Sequence, residues 1–88
     1  MADNSLLRLP AVAQARGRSR SQIYAECAAG KMPPPLKLSH KLSAWPAYEI
    51  DALNRAEIAG ADADEIKRLV LELIARRTQL REPPQAAA

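Results

Sequence analysis

Eighty-eight residues with a formal net charge of +3 and a single cysteine leave room for one domain, with a core too small for a deep substrate cavity. Cys27 alone excludes an internal disulfide and offers no ligand cluster for a structural zinc, so it is expected to be a small core residue. Charges break every apolar run short of the roughly 18 residues that span a bilayer, and the N-terminus lacks the pattern of a secretory signal; a soluble, cytoplasmic protein is expected.

The charge is uneven. Residues 1–45 carry seven Lys/Arg against two Asp/Glu, whereas residues 46–88 carry six against eight. A basic front half and a mildly acidic back half fit a phosphate-binding surface on one part of the fold, and also front-to-back association between copies.

Residues 1–5 are polar and expected to be a flexible N-terminus. Leu6-Leu7-Arg8-Leu9 is a short apolar segment, suited to an extended strand packed on the core. Pro10 has no N–H and a fixed φ, so it opens a first helix over Ala11 to Arg16, with Val12 as its main core contact. Gly17 stops that helix, and Arg18 leads into Ser19.

Ser19 to Gly30 carries its own start and stop. Ser19 and Gln22 have capping-box spacing, which satisfies two amide donors that a first helical turn leaves orphaned. Gly30 suits the left-handed residue that ends a helix. Ile23 and Cys27 lie four apart on the inner side, flanked by Tyr24 and Ala28. Arg20, Ser21, Gln22, Ala25 and Glu26 are left facing outward. A helix, a tight glycine turn and a second helix with a polar, cationic N-terminal end predict a helix-turn-helix whose second helix reads DNA. The plainer alternative is a short surface helix with ordinary solvated charges.

Lys31-Met32-Pro33-Pro34-Pro35 cannot be helical, and reads as a rigid connector in preference to a polyproline docking motif. Leu36-Lys37-Leu38 and Leu42-Ser43-Ala44-Trp45 flank Ser39-His40-Lys41 as a small hairpin, a wing with a basic tip. Trp45, the largest apolar group in a chain without phenylalanine, is expected to anchor the core. Pro46 opens a third helix, over Ala47 to Ala59, with Ile50 and Leu53 on one face. Gly60-Ala61 breaks it, and Asp62 with Glu65 forms a second capping box. Asp62, Asp64 and Glu65 suit the positive end of the last helix, with Arg76, Arg77 and Arg81 near its negative end. Ile66, Leu69, Val70, Leu73 and Ile74 form its apolar stripe, either a cover for the core or an interface. Residues 82–88 read as a disordered tail. The fold class is mainly α with a small β-hairpin wing: a winged helix-turn-helix domain over residues 6–60 plus an extra C-terminal helix over 61–81.

The order Leu7-Arg8-Leu9-Pro10, Gly17-x-Ser19-Arg20-Ser21-x-Ile23-Tyr24, Gly30-Lys31-Met32-Pro33, Lys37-Leu38 and Ala44-Trp45 resembles the AlpA-like family of prophage regulators. That family belongs with MerR-like winged helix-turn-helix proteins and includes small excisionases. The resemblance covers roughly residues 6–59. It implies a DNA-binding module with the second helix in the major groove and the wing alongside. It also implies a role in a mobile element, as transcriptional regulator or as a recombination directionality factor that helps an integrase, with cooperative binding to repeated sites. The chain departs from the family in three places. Ser39-His40-Lys41 stands where the wing usually has a glycine turn with an arginine, Leu53 stands for a second tryptophan, and Asp62 to Arg81 extends past the usual length.

Together these features place Arg18, Arg20, Ser21, Gln22, Ala25 and Lys31 at or beside the major groove. Gln22 is the candidate for reading an adenine, and Arg20 for a guanine or a phosphate. Lys37 and Lys41 are assigned to phosphates, with His40 beside them on the wing tip. Tyr24 either touches the DNA backbone through its hydroxyl or packs. Double-stranded DNA, further copies of the chain and an integrase are the expected partners. An enzyme is the least supported class, because no catalytic, metal or phosphate-loop motif is present, and no cofactor is expected. A protein-interaction module using the proline run and the last helix is the competing function. Steep salt dependence would separate DNA binding from apolar docking.

Overall fold

Trp45 is fully buried, and the other elements are arranged around it. A computed structural model describes residues 4–81, so the expectations for the first three residues and for the tail at 82–88 lie outside the described residues. In chain order the elements are β1 (Leu6–Leu7), α1 (Leu9–Arg16), α2 (Arg20–Ala28), β2 (Leu36–Ser39), β3 (Leu42–Pro46), α3 (Ala47–Ile58) and α4 (Ala63–Arg81). This is the winged helix-turn-helix arrangement, mainly helical, with an additional C-terminal helix.

Pro10 lies in the first turn of α1, where its missing N–H costs nothing. At the other end Gly17 takes φ 67°, a left-handed conformation that would strain any side-chain-bearing residue. The Arg18 N–H then bonds the Ala13 carbonyl and the Gly17 N–H bonds that of Gln14, capping two orphan acceptors. α2 begins with the capping box intact: the Gln22 N–H donates to Ser19 Oγ at 3.1 Å, and the Ser19 N–H donates to Gln22 Oε1 at 2.8 Å. Gly30, at φ 80°, closes α2 by the same device as Gly17.

The sheet has three strands in the order β1-β3-β2, all antiparallel. The entering segment thus does more than pack: Leu6 pairs with Pro46 and Leu7 with Trp45. Pro46 cannot donate, but the Ala47 N–H continues the connection to the Ser5 carbonyl at 2.8 Å. In the wing, Leu36 pairs with Ala44 and Lys37 with Ser43, and the register then slips before Ser39 meets Leu42. The two leucines of β2 therefore do not share one fate. Leu36 is half-buried, while Leu38 falls in the irregular stretch and is exposed.

The core joins Val12, Ile23, Met32, Trp45, Ile50 and Leu53 to Ile66, Val70 and Leu73 of α4. Most of the α4 stripe thus covers the core; Leu71 and Leu80 remain exposed. The proline run is part of the interior at one end. Pro33 is fully buried, and its carbonyl accepts the Trp45 indole N–H at 2.9 Å. One charged residue of α3 lies wholly inside: Glu49, fully buried, receives both Arg77 Nε and Arg77 Nη2 at 2.7 Å. This paired geometry fastens α4 to α3 and gives the buried carboxylate a formal counter-charge.

Candidate nucleic-acid interface

α2 meets the core through Ile23, which is fully buried, with Cys27 half-buried beside it. Arg20, Ser21, Gln22, Tyr24 and Ala25 are all exposed. Tyr24 is 49 % exposed, yet its ring lies 6.5 Å from that of Trp45, tilted by 54°. It therefore belongs both to the edge of the core and to the outer face. Ala28, which the helical spacing places with the core residues, is exposed instead. Burial, then the neighbouring Glu26 carboxylate, push the Cys27 thiol up, so the sulfur stays protonated and donates weakly toward the Pro33 carbonyl at 3.5 Å.

The N-terminal end of α2 faces the wing across a cleft of about 310 Å³, lined by Arg8, Leu9, Pro10, Arg20, Tyr24, Lys41 and Ser43. Its three charged residues are all cations, and no carboxylate lines it. Lys37 pairs with Ser43 across the ribbon, on the same sheet face as that lining residue. His40 and Lys41 form the exposed turn between β2 and β3. Among the described residues, none of Arg8, Arg20, Lys31, Lys37 and Lys41 is in an ion pair. Arg8 was not among the sequence-derived DNA-contact residues, although it stands immediately before the helix that Pro10 opens. The packing of α1 on α2 sets it around the same cleft as Arg20, and the wing adds Lys41.

Arg18 has different surroundings. Its guanidinium donates to Glu26 Oε2, to Glu57 Oε2 at 2.7 Å and to the Arg16 carbonyl at 2.7 Å. Burial opposes its charge, but the hydrogen bonds to Glu57 and Glu26 outweigh that and raise its pKa further. Arg16, with a buried side chain, donates 2.7 Å bonds to Asn54 Oδ1 and Glu57 Oε1 and lies 3.7 Å from Glu26 Oε1. Asn54 Nδ2 in turn donates to the Ala15 carbonyl at 3.1 Å. Burial pushes the Glu57 carboxyl up, but the Arg18 and Arg16 hydrogen bonds prevail and hold it below the usual carboxylate range. Glu26, expected to face solvent, is thus an internal partner, and this network ties α1 and α2 to α3.

Of the ten sequence-derived residues, the fold gathers Arg20, Tyr24 and Lys41 around one cleft, with Lys37 and His40 on the adjoining wing. Ser21, Gln22 and Ala25 lie on the exposed face of α2. Arg18 and Lys31 instead line a second recess, shared with Arg16, Glu26 and Glu57. Among the described residues there is no cluster of three or more His, Cys, Asp or Glu able to hold a metal ion, and no helix long and apolar enough to cross a membrane.

Residues 5–57, more than half of the chain, match the family model described as prophage CP4-57 regulatory protein (AlpA). No curated protein and no solved structure matches the chain. The matched residues take in α1, α2, the wing and most of α3, and leave out α4.

Proposed function

Because the chain belongs to the AlpA family of prophage regulatory proteins, we propose that it binds double-stranded DNA of a mobile element, as a recombination directionality factor (excisionase), a transcriptional regulator or both. In this reading α2 lies in the major groove and the wing follows the phosphate backbone. The protein acts by binding, without catalysis or a cofactor, in the cytoplasm. An integrase is the partner in the excision role, and further copies of the chain bind alongside on the same DNA.

The observation that carries this reading is the division among the cations of the front half. Arg16 and Arg18 are neutralised by Glu26 and Glu57, whereas Arg8, Arg20, Lys37 and Lys41 are in no ion pair among the described residues. A surface that leaves several cations unpaired around one cleft favours a polyanion. The competing interaction-module reading loses part of its basis, since Pro33 is enclosed in the core and bonded to Trp45.

Titration of duplex DNA at several salt concentrations tests the proposal. Arg20→Ala and Lys41→Ala should each weaken binding and flatten the dependence of log K on log salt by up to about one unit. The lysine variant should weaken specific and random duplexes alike, whereas the arginine variant should lose more on the specific site. Wild-type affinity and salt slope in both variants would remove α2 and the wing from the interface.

A further inference from the structure

Resting on the DNA-binding reading and deepening it, we propose that the cleft between Arg8, Arg20 and Lys41 is a single phosphate site. It closes on one phosphodiester of the DNA backbone, and Arg8 is the anchor that completes it. The three cations come from three separate parts of the fold: the connection between β1 and α1, the first turn of α2, and the turn of the wing. No local sequence feature joins them; the pairing of β1 with β3 and of β3 with β2 sets them around one cleft.

Bringing like charges together is unfavourable unless something neutralises them. The same molecule shows how that is done internally, where Glu26 and Glu57 lie between Arg16 and Arg18. At the outer cleft no carboxylate is interposed, and the three side chains have no ion pair among the described residues. An external anion supplies the missing charge. The volume of about 310 Å³ admits a phosphate group with bridging waters, since one water needs roughly 10–15 Å³ of such space. Tyr24 and Ser43, both hydroxyl-bearing residues, also line the cleft. Tyr24 rests against Trp45, so this side of the cleft is backed by the core.

Arg8 has the appropriate chemistry and freedom. It is exposed and occupies the N-cap position of α1, where its side chain makes no capping bond. The guanidinium presents a planar fork to two phosphate oxygens, while Lys41 supplies a point charge. Because only the backbone carbonyl of Arg8 has a structural task, accepting the Val12 N–H at 3.0 Å, replacing its side chain leaves the fold intact.

Fluorescence anisotropy with specific and random duplexes, at several salt concentrations, compares wild type, Arg8→Ala and Arg8→Lys. A contribution of about 0.9 log unit per phosphate corresponds to roughly eightfold between 1 M and 0.1 M salt. Arg8→Ala should therefore lose roughly that factor on both duplexes at 0.1 M salt, and the slope should fall by about one. Arg8→Lys should restore the slope and part of the affinity. A scan of duplexes carrying one neutral methylphosphonate each should contain a position at which wild type and Arg8→Ala become equal. Wild-type binding with an unchanged Arg8→Ala affinity and slope would overturn the site while leaving the DNA-binding reading in place. Failure of the wild type to bind any duplex would instead sink that reading. NMR titration with inorganic phosphate then decides the cleft: amide shifts at Leu9, Tyr24 and Ser43 that vanish in Arg8→Ala uphold an anion site, and their absence removes it.

Discussion

Gln22 caps α2, and the adenine reading proposed for it would use the same oxygen. Its Oε1 already accepts the Ser19 N–H at 2.8 Å in the capping box. Reading an adenine by the usual paired geometry needs that oxygen as well as the amide nitrogen. Because an amide oxygen carries two lone pairs, the cap takes one acceptor site of Oε1 and fixes the rotamer from which a base would be read, a local interaction worth about 1 kcal/mol. Gln22→Glu separates the tasks, since a carboxylate still caps but cannot donate to adenine N7 and repels phosphate. It should retain the wild-type urea midpoint and bind DNA at least about tenfold more weakly. Equal affinity of this variant on the specific site would show that Gln22 only caps. The cap was legible in the sequence, because Ser19 and Gln22 are three residues apart and a cap is a local event. Arg8 was not legible as a site residue, since its neighbours Arg20 and Lys41 are distant in the chain.

The elements are held in register by charge as well as by apolar packing. Periodicity and capping residues marked all four helices and the wing, because those signals repeat within a few residues. Two-residue β1 offers no such repeat, and its pairing with β3 depends on a partner far along the chain. The same holds for Glu49 with Arg77 and for Arg18 with Glu26 and Glu57: the sequence reads Arg18 as a DNA contact, Arg77 as a helix-end charge and Glu26 as outward-facing, and the partner of each is distant or on another element. The depressed Glu57 carboxyl predicts how the junction of α1, α2 and α3 responds to acid. Its folded-state pKa lies below the unfolded one, so its contribution is present above the ordinary carboxylate value and is lost as pH falls through its own lowered value. Urea midpoints of wild type and Glu57→Gln should therefore differ at neutral pH and converge as pH falls below the ordinary carboxylate range. A constant difference over that range would show that the Glu57 charge does not stabilise the fold.

On the DNA-binding proposal, one copy of a domain this small presents one short helix and one wing, a footprint of roughly 600–1,000 Å² for a single module. Specificity then calls for several copies, and the basic front and acidic back of the chain favour a head-to-tail array over a symmetric pair. α4 contributes less to such contacts than its sequence stripe implies, because Ile66, Val70 and Leu73 are enclosed in the core. Leu71 and Leu80, 66 % and 58 % exposed, are its free apolar groups. Leu71→Asp and Leu80→Asp should keep the fold and single-site affinity while shortening the protected region on a long natural site. An unchanged, extending footprint in both would exclude these positions from contact between copies; a wild-type footprint confined to one module would exclude the array.

Burial of the only tryptophan gives the molecule an optical gauge of its own interior. Trp45 is fully enclosed and hydrogen-bonded through its indole N–H, so selectively excited emission comes from one indole in one environment. Dissolved quenchers gain ready access to it only when the shell of helices and sheet opens, and a red shift in emission marks the arrival of water. On the DNA-binding proposal, nucleic acid on the exposed face of α2 comes close to Tyr24, whose ring lies 6.5 Å from that of Trp45. A label-free cuvette experiment thereby distinguishes docking on an intact domain from docking that loosens it.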